Sequence, residues 1–204
     1  MTIAAYLSWA TDPARNYEEA LELGERAVAL DPRYPNAHFA LALISMWLGH
    51  TDRAAAEFKE AIKLNPSFAA AHAVLGAALN FQGKSEEGIA SIEKGIRLSP
   101  SDPRLFIWLS GLAAAHYQLS QYSQAVEIGR RSWALNRNYI TGLTYVVAGF
   151  AQLGQTEEAR ASLSFLKERD PTLSALRTTL RLYKDRACAD HLLEGLRKAG
   201  VPED

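Results

Sequence analysis

A thiol three residues ahead of an imidazole, Cys188 and His191, is the arrangement in this sequence that comes nearest to a catalytic pair. Such a pair becomes nucleophilic when its surroundings lower the thiol pKa and a further group orients the base. No such group stands nearby in the chain. His38 and His72 raise the question of a metal, but neither has a second histidine or a carboxylate three or four residues on, where a helix would bring two ligands to one face. Leu41 and Ala42 follow the first, Leu75 and Gly76 the second, so both histidines are expected to pack between helices. His116, beside Ala113, Ala114 and Ala115, is expected at an inter-helix contact, and no glycine-rich loop is built to cradle a phosphate. These residues predict no enzyme, no metal and no cofactor.

What positions these residues is a series of short helices. Ile89, Ile92 and Ile96 recur at spacings of three and four, with Glu86, Glu87, Glu93, Lys94 and Arg97 on the other face. Helix starts are expected where Ser85 precedes Glu86, where Thr156 precedes Glu157, and where Asp102 precedes Pro103. No window alternates in the manner of a strand, and the chain reads as all-α. Helix endings closed by proline recur at Leu30-Asp31-Pro32, Leu64-Asn65-Pro66 and Leu98-Ser99-Pro100, each 34 residues after the last. Leu135-Asn136-Arg137 follows after 37 residues and Arg169-Asp170-Pro171 after another 34. In the same register, Ala20, Ala54, Gly88, Ala125 and Ala159 supply a small residue where two helices would meet closely. Gly49, Gly83, Ser120 and Gly154 occupy the turn between helices, where a left-handed residue is required.

Ala54-Ala55-Ala56-Glu57-Phe58 and Leu75-Gly76, on that period, resemble the tetratricopeptide repeat. The resemblance implies a right-handed α-α superhelix of about five helix pairs plus two C-terminal helices. The repeat array is expected over 1–171, with units near 1–34, 35–68, 69–102, 103–139 and 140–173, and capping helices over 172–204. Three extra residues in Ser99 to Arg104 are expected either to start the fourth unit's first helix a turn early, capped by Asp102, or to change the superhelical pitch and widen the groove. A fold of this kind offers a surface rather than an active site.

The family lines its inner wall with the first helix of each unit. Transferred to this register, the implied groove residues are Asn36, Phe39, Leu43 and Trp47, then Ala73, Ala77, Asn80 and Phe81, then Ser110, Ala114, Tyr117 and Gln118, and Thr144. Phe39, Trp47, Phe81 and Tyr117 would serve as anchors, and Asn80 or Gln118 would pair with a ligand's backbone. The alternative for Trp47 and Phe81 is packing against the next unit. Members that grip a terminal carboxylate need cations on this wall; here Ala5, Trp9, Ala40, Ala70 and Val74 stand at those places, so the expected protein or peptide partner is not strongly acidic.

The tail from Asp185 to Asp190 and from Leu193 to Glu203, with the opening Trp9 to Pro13, resembles the C-terminal repeat region of bacterial regulators. In those proteins the array follows a class III adenylate or guanylate cyclase or a winged-helix domain. The resemblance implies the interaction half of a signalling protein, or an array that docks on and controls its own output domain; it carries no cyclase motif. The apolar opening Ile3 to Trp9 implies a preceding segment, or a second copy covering that face in a homodimer. Twenty-two basic against 23 acidic residues give a net charge of −1, which disfavours nucleic acid and anionic membrane as partners. One cysteine excludes an internal disulfide framework and fits a cytoplasmic location. The most apolar stretch, Leu143 to Leu153, is far short of the ~20 residues that span a bilayer.

Overall fold

The computed structural model describes residues 13–201. Among these the chain is all-α and follows the order α1 Pro13–Leu30, α2 Pro35–Trp47, α3 Thr51–Leu64, α4 Ala69–Phe81, α5 Ser85–Leu98 and α6 Leu105–Gln118. It continues with α7 Tyr122–Leu135, α8 Thr141–Gln152, α9 Thr156–Arg169, α10 Ser174–Leu182 and α11 Arg186–Lys198. Helices α2/α3, α4/α5, α6/α7 and α8/α9 form antiparallel pairs, and each second helix packs on the first helix of the next pair. The opening Ile3 to Trp9, with the dimer face expected there, lies outside the described residues.

Each pair turns on a left-handed residue. Gly49, Gly83 and Gly154 have φ of 81°, 79° and 74°, and Ser120 takes the same conformation at 58°. The following N–H then reaches back five residues, as from His50 to Ser45 O at 2.9 Å and from Lys84 to Leu79 O at 3.0 Å, which closes the helix end. The pairs meet at small residues. A Cβ on Gly88 would lie 2.8 Å from the Gly76 carbonyl oxygen, and one on Gly76 would run into the Gly88 carbonyl and Ile92. Backbone touches backbone there.

Two expectations about helix starts are corrected. Ser85 and Thr156 are already the first helical residues and cap nothing; Ser85 instead donates its buried hydroxyl to Asn80 Oδ1 at 2.6 Å. The three extra residues of the fourth unit do not start its first helix a turn early; that helix has 14 residues against 13 in units two and three. Asp102 accepts the Arg104 N–H at 2.8 Å and folds the insertion into a turn, so α6 begins at Leu105. A side chain that can bond the backbone two residues on competes with helix initiation, and here it wins.

His38 and His72 are buried as expected, but each works as a hydrogen-bonded staple rather than as plain packing. Their Nε2 atoms lie 3.0 Å from the Pro32 and Pro66 carbonyl oxygens, the prolines that end the preceding repeat. His38 also bonds Glu57 Oε2 through Nδ1 at 2.7 Å. His116 is half-buried, and its ring bonds Gln121, the residue before α7, at 2.6 Å.

The core divides into two clusters. One joins α2, α3 and α4 through Met46, Phe58, Leu75 and Leu79; the other runs from α4 to α11. Phe39 and Phe81 pack against both. Helix α4 packs on α6 and α6 on α8, whereas α2 and α4 approach each other less closely.

Replacing Gly76 by Ala forces two backbones apart and is expected to cost about 1–3 kcal/mol, read as a lower midpoint in thermal or urea unfolding. His38 offers a pH test. Burial works against its protonated form, but the Glu57 bond and the Pro32 carbonyl outweigh burial, with the Glu57 and Glu60 charges adding to them, and its pKa is raised. Stability from the protonated pair is therefore full below the unfolded histidine value of about 6.5 and fades as pH rises through the folded value. The Tm deficit of Glu57→Gln should be larger at acid pH than at alkaline pH.

Candidate interaction groove

The wall expected to be open is partly filled by the chain itself. After α9 the chain passes through α10, which touches α8, then turns at Tyr183 and sends α11 back across α8 and α6. Asp185 starts that last helix by accepting the Ala187 N–H at 3.0 Å, a side-chain cap absent from the repeat helices for which caps are described. The two C-terminal helices were expected to cap the end of the stack. The second lies on the first helices of units four and five instead.

The contacts run along the C-terminal ends of the inner helices. Lys184 donates its backbone N–H to Phe81 O at 2.8 Å, taking a carbonyl that the end of α4 leaves free. The Tyr183 ring meets Phe81 edge-on, with centroids 5.1 Å apart. Its hydroxyl lies 3.2 Å from both Tyr145 Oη and Gln118 Nε2. Gln118 Nε2 also donates to Cys188 O at 3.0 Å, and Tyr117 donates its hydroxyl to His191 O at 2.9 Å. Gln152 Nε2 approaches Tyr117 Oη at 3.4 Å, while Lys198 Nζ donates to Gln152 Oε1 at 2.7 Å. Lys184 reaches furthest, pairing with Asp52 at the start of α3. Leu192 and Leu196 are fully buried on the inner face of α11, and Gly195 sits over the Tyr117 hydroxyl and Ala148.

Burial pushes the pKa values of Tyr117, Tyr145 and Tyr183 above the ordinary phenol value, so all three stay protonated. His191 is driven the other way, by burial and then by the Lys198 charge against the opposing pull of Glu194. Its two ring nitrogens contact Gln118 Oε1 at 3.3 Å and the Tyr122 hydroxyl at 2.9 Å. The Cys188 thiol is raised by burial and by Asp185. A raised thiol beside an imidazole already engaged elsewhere is a poor nucleophile. Among the described residues no three His, Cys, Asp or Glu side chains cluster as metal ligands would.

The expected groove residues fall into three groups. Asn36 is exposed, and Leu43, Trp47 and Ala77 are half-buried; Leu43 and Trp47 pack one side on the first core cluster and keep the rest accessible. Phe39 is spent on packing, with Phe68 and Phe58 centroids at 4.9 and 5.6 Å, and is no free anchor. Ala73, Asn80, Ser110, Ala114, Tyr117 and Thr144 are buried, while Phe81 and Gln118 are half-buried under Tyr183 and α11. None of these eight stands open to an outside ligand in this conformation. Sequence reasoning missed Tyr183, Lys184 and His191 as groove contacts. The signal was present in Asp185, which caps a helix whose apolar face (Ala189, Leu192, Leu196) has a small residue, Gly195, inside it.

The matched family models cover residues 14–78 and 69–102, and both describe tetratricopeptide repeats. Residues 14–102 are tetratricopeptide repeats. No curated protein matches the chain. Among solved structures, the tetratricopeptide fold is shared with PilW, a type IV pilus biogenesis factor, at TM-score 0.70 and 20% identity over 91% of this chain and 82% of that one. PilF of Pseudomonas aeruginosa aligns at TM-score 0.67 and 20% identity over 94% and 87%. YrrB, described as a tetratricopeptide protein with an unusual peptide-binding site, aligns at TM-score 0.58 and 23% identity over 88% and 92%. No helix among the described residues is long and apolar enough to cross a membrane.

Gln118 makes three of the bonds between the tetratricopeptide wall and the returning segment, so Gln118→Ala should loosen α11 without melting the array. Amide exchange at Leu192, Gly195 and Leu196 should speed up by roughly tenfold, with far-ultraviolet circular dichroism unchanged.

Proposed function

We propose that this protein is a non-enzymatic interaction module that takes a protein or peptide segment against its inner wall. The observation that carries the reading is the stretch from Asn36 through Leu43 and Trp47 to Ala77. Leu43, Trp47 and Ala77 are apolar and half-exposed, Leu43 and Trp47 with one side on the first core cluster, and Asn36 is exposed; they lie on α2 and α4, which stand apart. The half-exposed Trp47 ring suits an apolar side chain of a ligand, and Asn36, whose amide nitrogen donates to the Tyr34 hydroxyl at 3.0 Å, keeps its carbonyl as an acceptor. Neither lysine nor arginine occurs among these four residues or at Ala40, Ala70 and Val74, which favours a ligand that is not strongly acidic. The peptide-binding site ascribed to YrrB, a relative in fold, is in keeping with this use.

We place the module in the cytoplasm, as the interaction half of a bacterial signalling protein. That placement is supported by the single cysteine and by the likeness of the tail to cyclase-linked and winged-helix regulators. In-frame coding sequence for such an output domain upstream of Met1 would bear on it directly.

The groove is tested by affinity capture from the native lysate with the unaltered chain and with Leu43→Glu combined with Ala77→Glu. A partner retained by the first and lost by the folded variant is the expected result. Identical capture by both would remove this wall from the interaction.

A further inference from the structure

Resting on the reading of the array as a binder of protein segments, we infer that the inner wall of units three to five recognises a short amphipathic helix led by a tyrosine, and that residues 182–199 are its resident occupant in cis. The wall treats this segment as it would a ligand. Tyr117 and Gln118 bond main-chain carbonyls, those of His191 and Cys188, and Phe81 O receives a main-chain N–H from Lys184. Such bonds are open to other helices of the right shape. Side-chain selectivity comes from two places. The first is the Tyr183 slot, where Phe81 meets the ring and Gln118 and Tyr145 meet the hydroxyl. The second is the ridge of Tyr117 and Ala148, which admits Gly195 because a Cβ there would strike the Tyr117 hydroxyl and stand 3.1 Å from Ala148.

The segment is one layer thick. Arg186, Ala187, Asp190, Glu194, Arg197 and Lys198 are exposed, while Ala189, Leu192 and Leu196 face the wall. Its attachment also differs in kind from that of the repeats. Paired repeat helices lock backbone to backbone at Gly76 and Gly88, whereas the segment is held by side chains that reach across and by Tyr183, Ala189, Leu192, Leu196 and Ala199, which join the second core cluster. It packs within the second core cluster and reaches α3 only through the exposed Lys184–Asp52 pair. The matching partner carries tyrosine, then small or leucine side chains at six, nine, twelve and thirteen residues on, as Ala189, Leu192, Gly195 and Leu196 follow Tyr183. Like the resident segment, it has few net charges.

The test uses the full chain and a fluorescent synthetic peptide of residues 182–201. Gly195→Leu should expel α11 yet keep the repeat helices and a cooperative melt. This variant should bind the peptide at least about tenfold more tightly than the unaltered chain, whose wall is mostly occupied. Adding Gln118→Ala and Tyr117→Ala should abolish that binding. A folded Gly195→Leu protein that ignores the peptide overturns the proposal. If Gly195→Leu does not fold, the pair Leu192→Ala and Leu196→Ala releases the helix without added bulk, and loss of the repeats in both would make α11 part of the core. Exchange of α11 between copies of the unaltered chain, seen as a dimer in light scattering, would make a second copy the occupant and overturn the separate partner. The peptide reads the Tyr117 wall and the capture experiment reads Leu43 and Ala77, so either can fail alone.

Discussion

The structure depends on how closely the two helices of a repeat can approach. At Gly76 and Gly88 there is no room for a single added carbon, and Gly95 meets the Ala69 and Ala73 backbone in the same pair. Contact at that distance fixes the crossing of each pair and leaves little freedom for the next pair to stack differently. Apolar burial supplies most of the stabilisation along the seam, with Phe58, Ile92, Val147 and Leu166 fully or almost fully buried. Burial by itself would accept many helix arrangements. The small residues select one, and the inner wall inherits its spacing from them.

A stack held in this way is strong within pairs and weaker where neighbouring inner helices separate. That weakness falls between α2 and α4, where the core divides and Phe39 and Phe81 span the division. The returning C-terminal segment crosses near that place. Tyr183 lies on Phe81, and Lys184 reaches Asp52 on the far side. An exposed ion pair of this kind contributes little by itself. The Lys184 to Phe81 backbone bond and the buried Tyr183 ring carry more of the tie.

Groups that could have done chemistry are used for structure. Histidines at one repeat position hold the proline turn that precedes them, and His38 adds a carboxylate partner. His191 and Cys188 lie against the wall of the groove, where burial keeps the imidazole neutral and the thiol protonated. The phenols there are kept protonated for the same reason and serve as donors or acceptors to main-chain and amide groups. A surface made of phenols, carboxamides and alanines offers shape and hydrogen bonds rather than charge.

The sequence by itself determined the repeat. Its period, small contact positions and left-handed turn residues are local signals, each decided within about two helices, and even Ser120 could be placed at a turn by register. Caps were less legible: Ser85 and Asp102 bear the side chains of helix starts, but one is drawn into a buried bond with Asn80 and the other into a turn of its own. The tertiary structure alone decided where α11 goes. An amphipathic helix carries an apolar face without recording which surface it will meet, and the end of a stack and its inner wall are both apolar. The choice rests on pairs such as Tyr117 with His191 and Gln118 with Cys188, 74 and 70 residues apart, which arise only after the wall has formed. For the same reason Tyr117, an anchor by register, is covered by the chain's own C-terminus, while Leu43, Trp47 and Ala77 stay half-exposed.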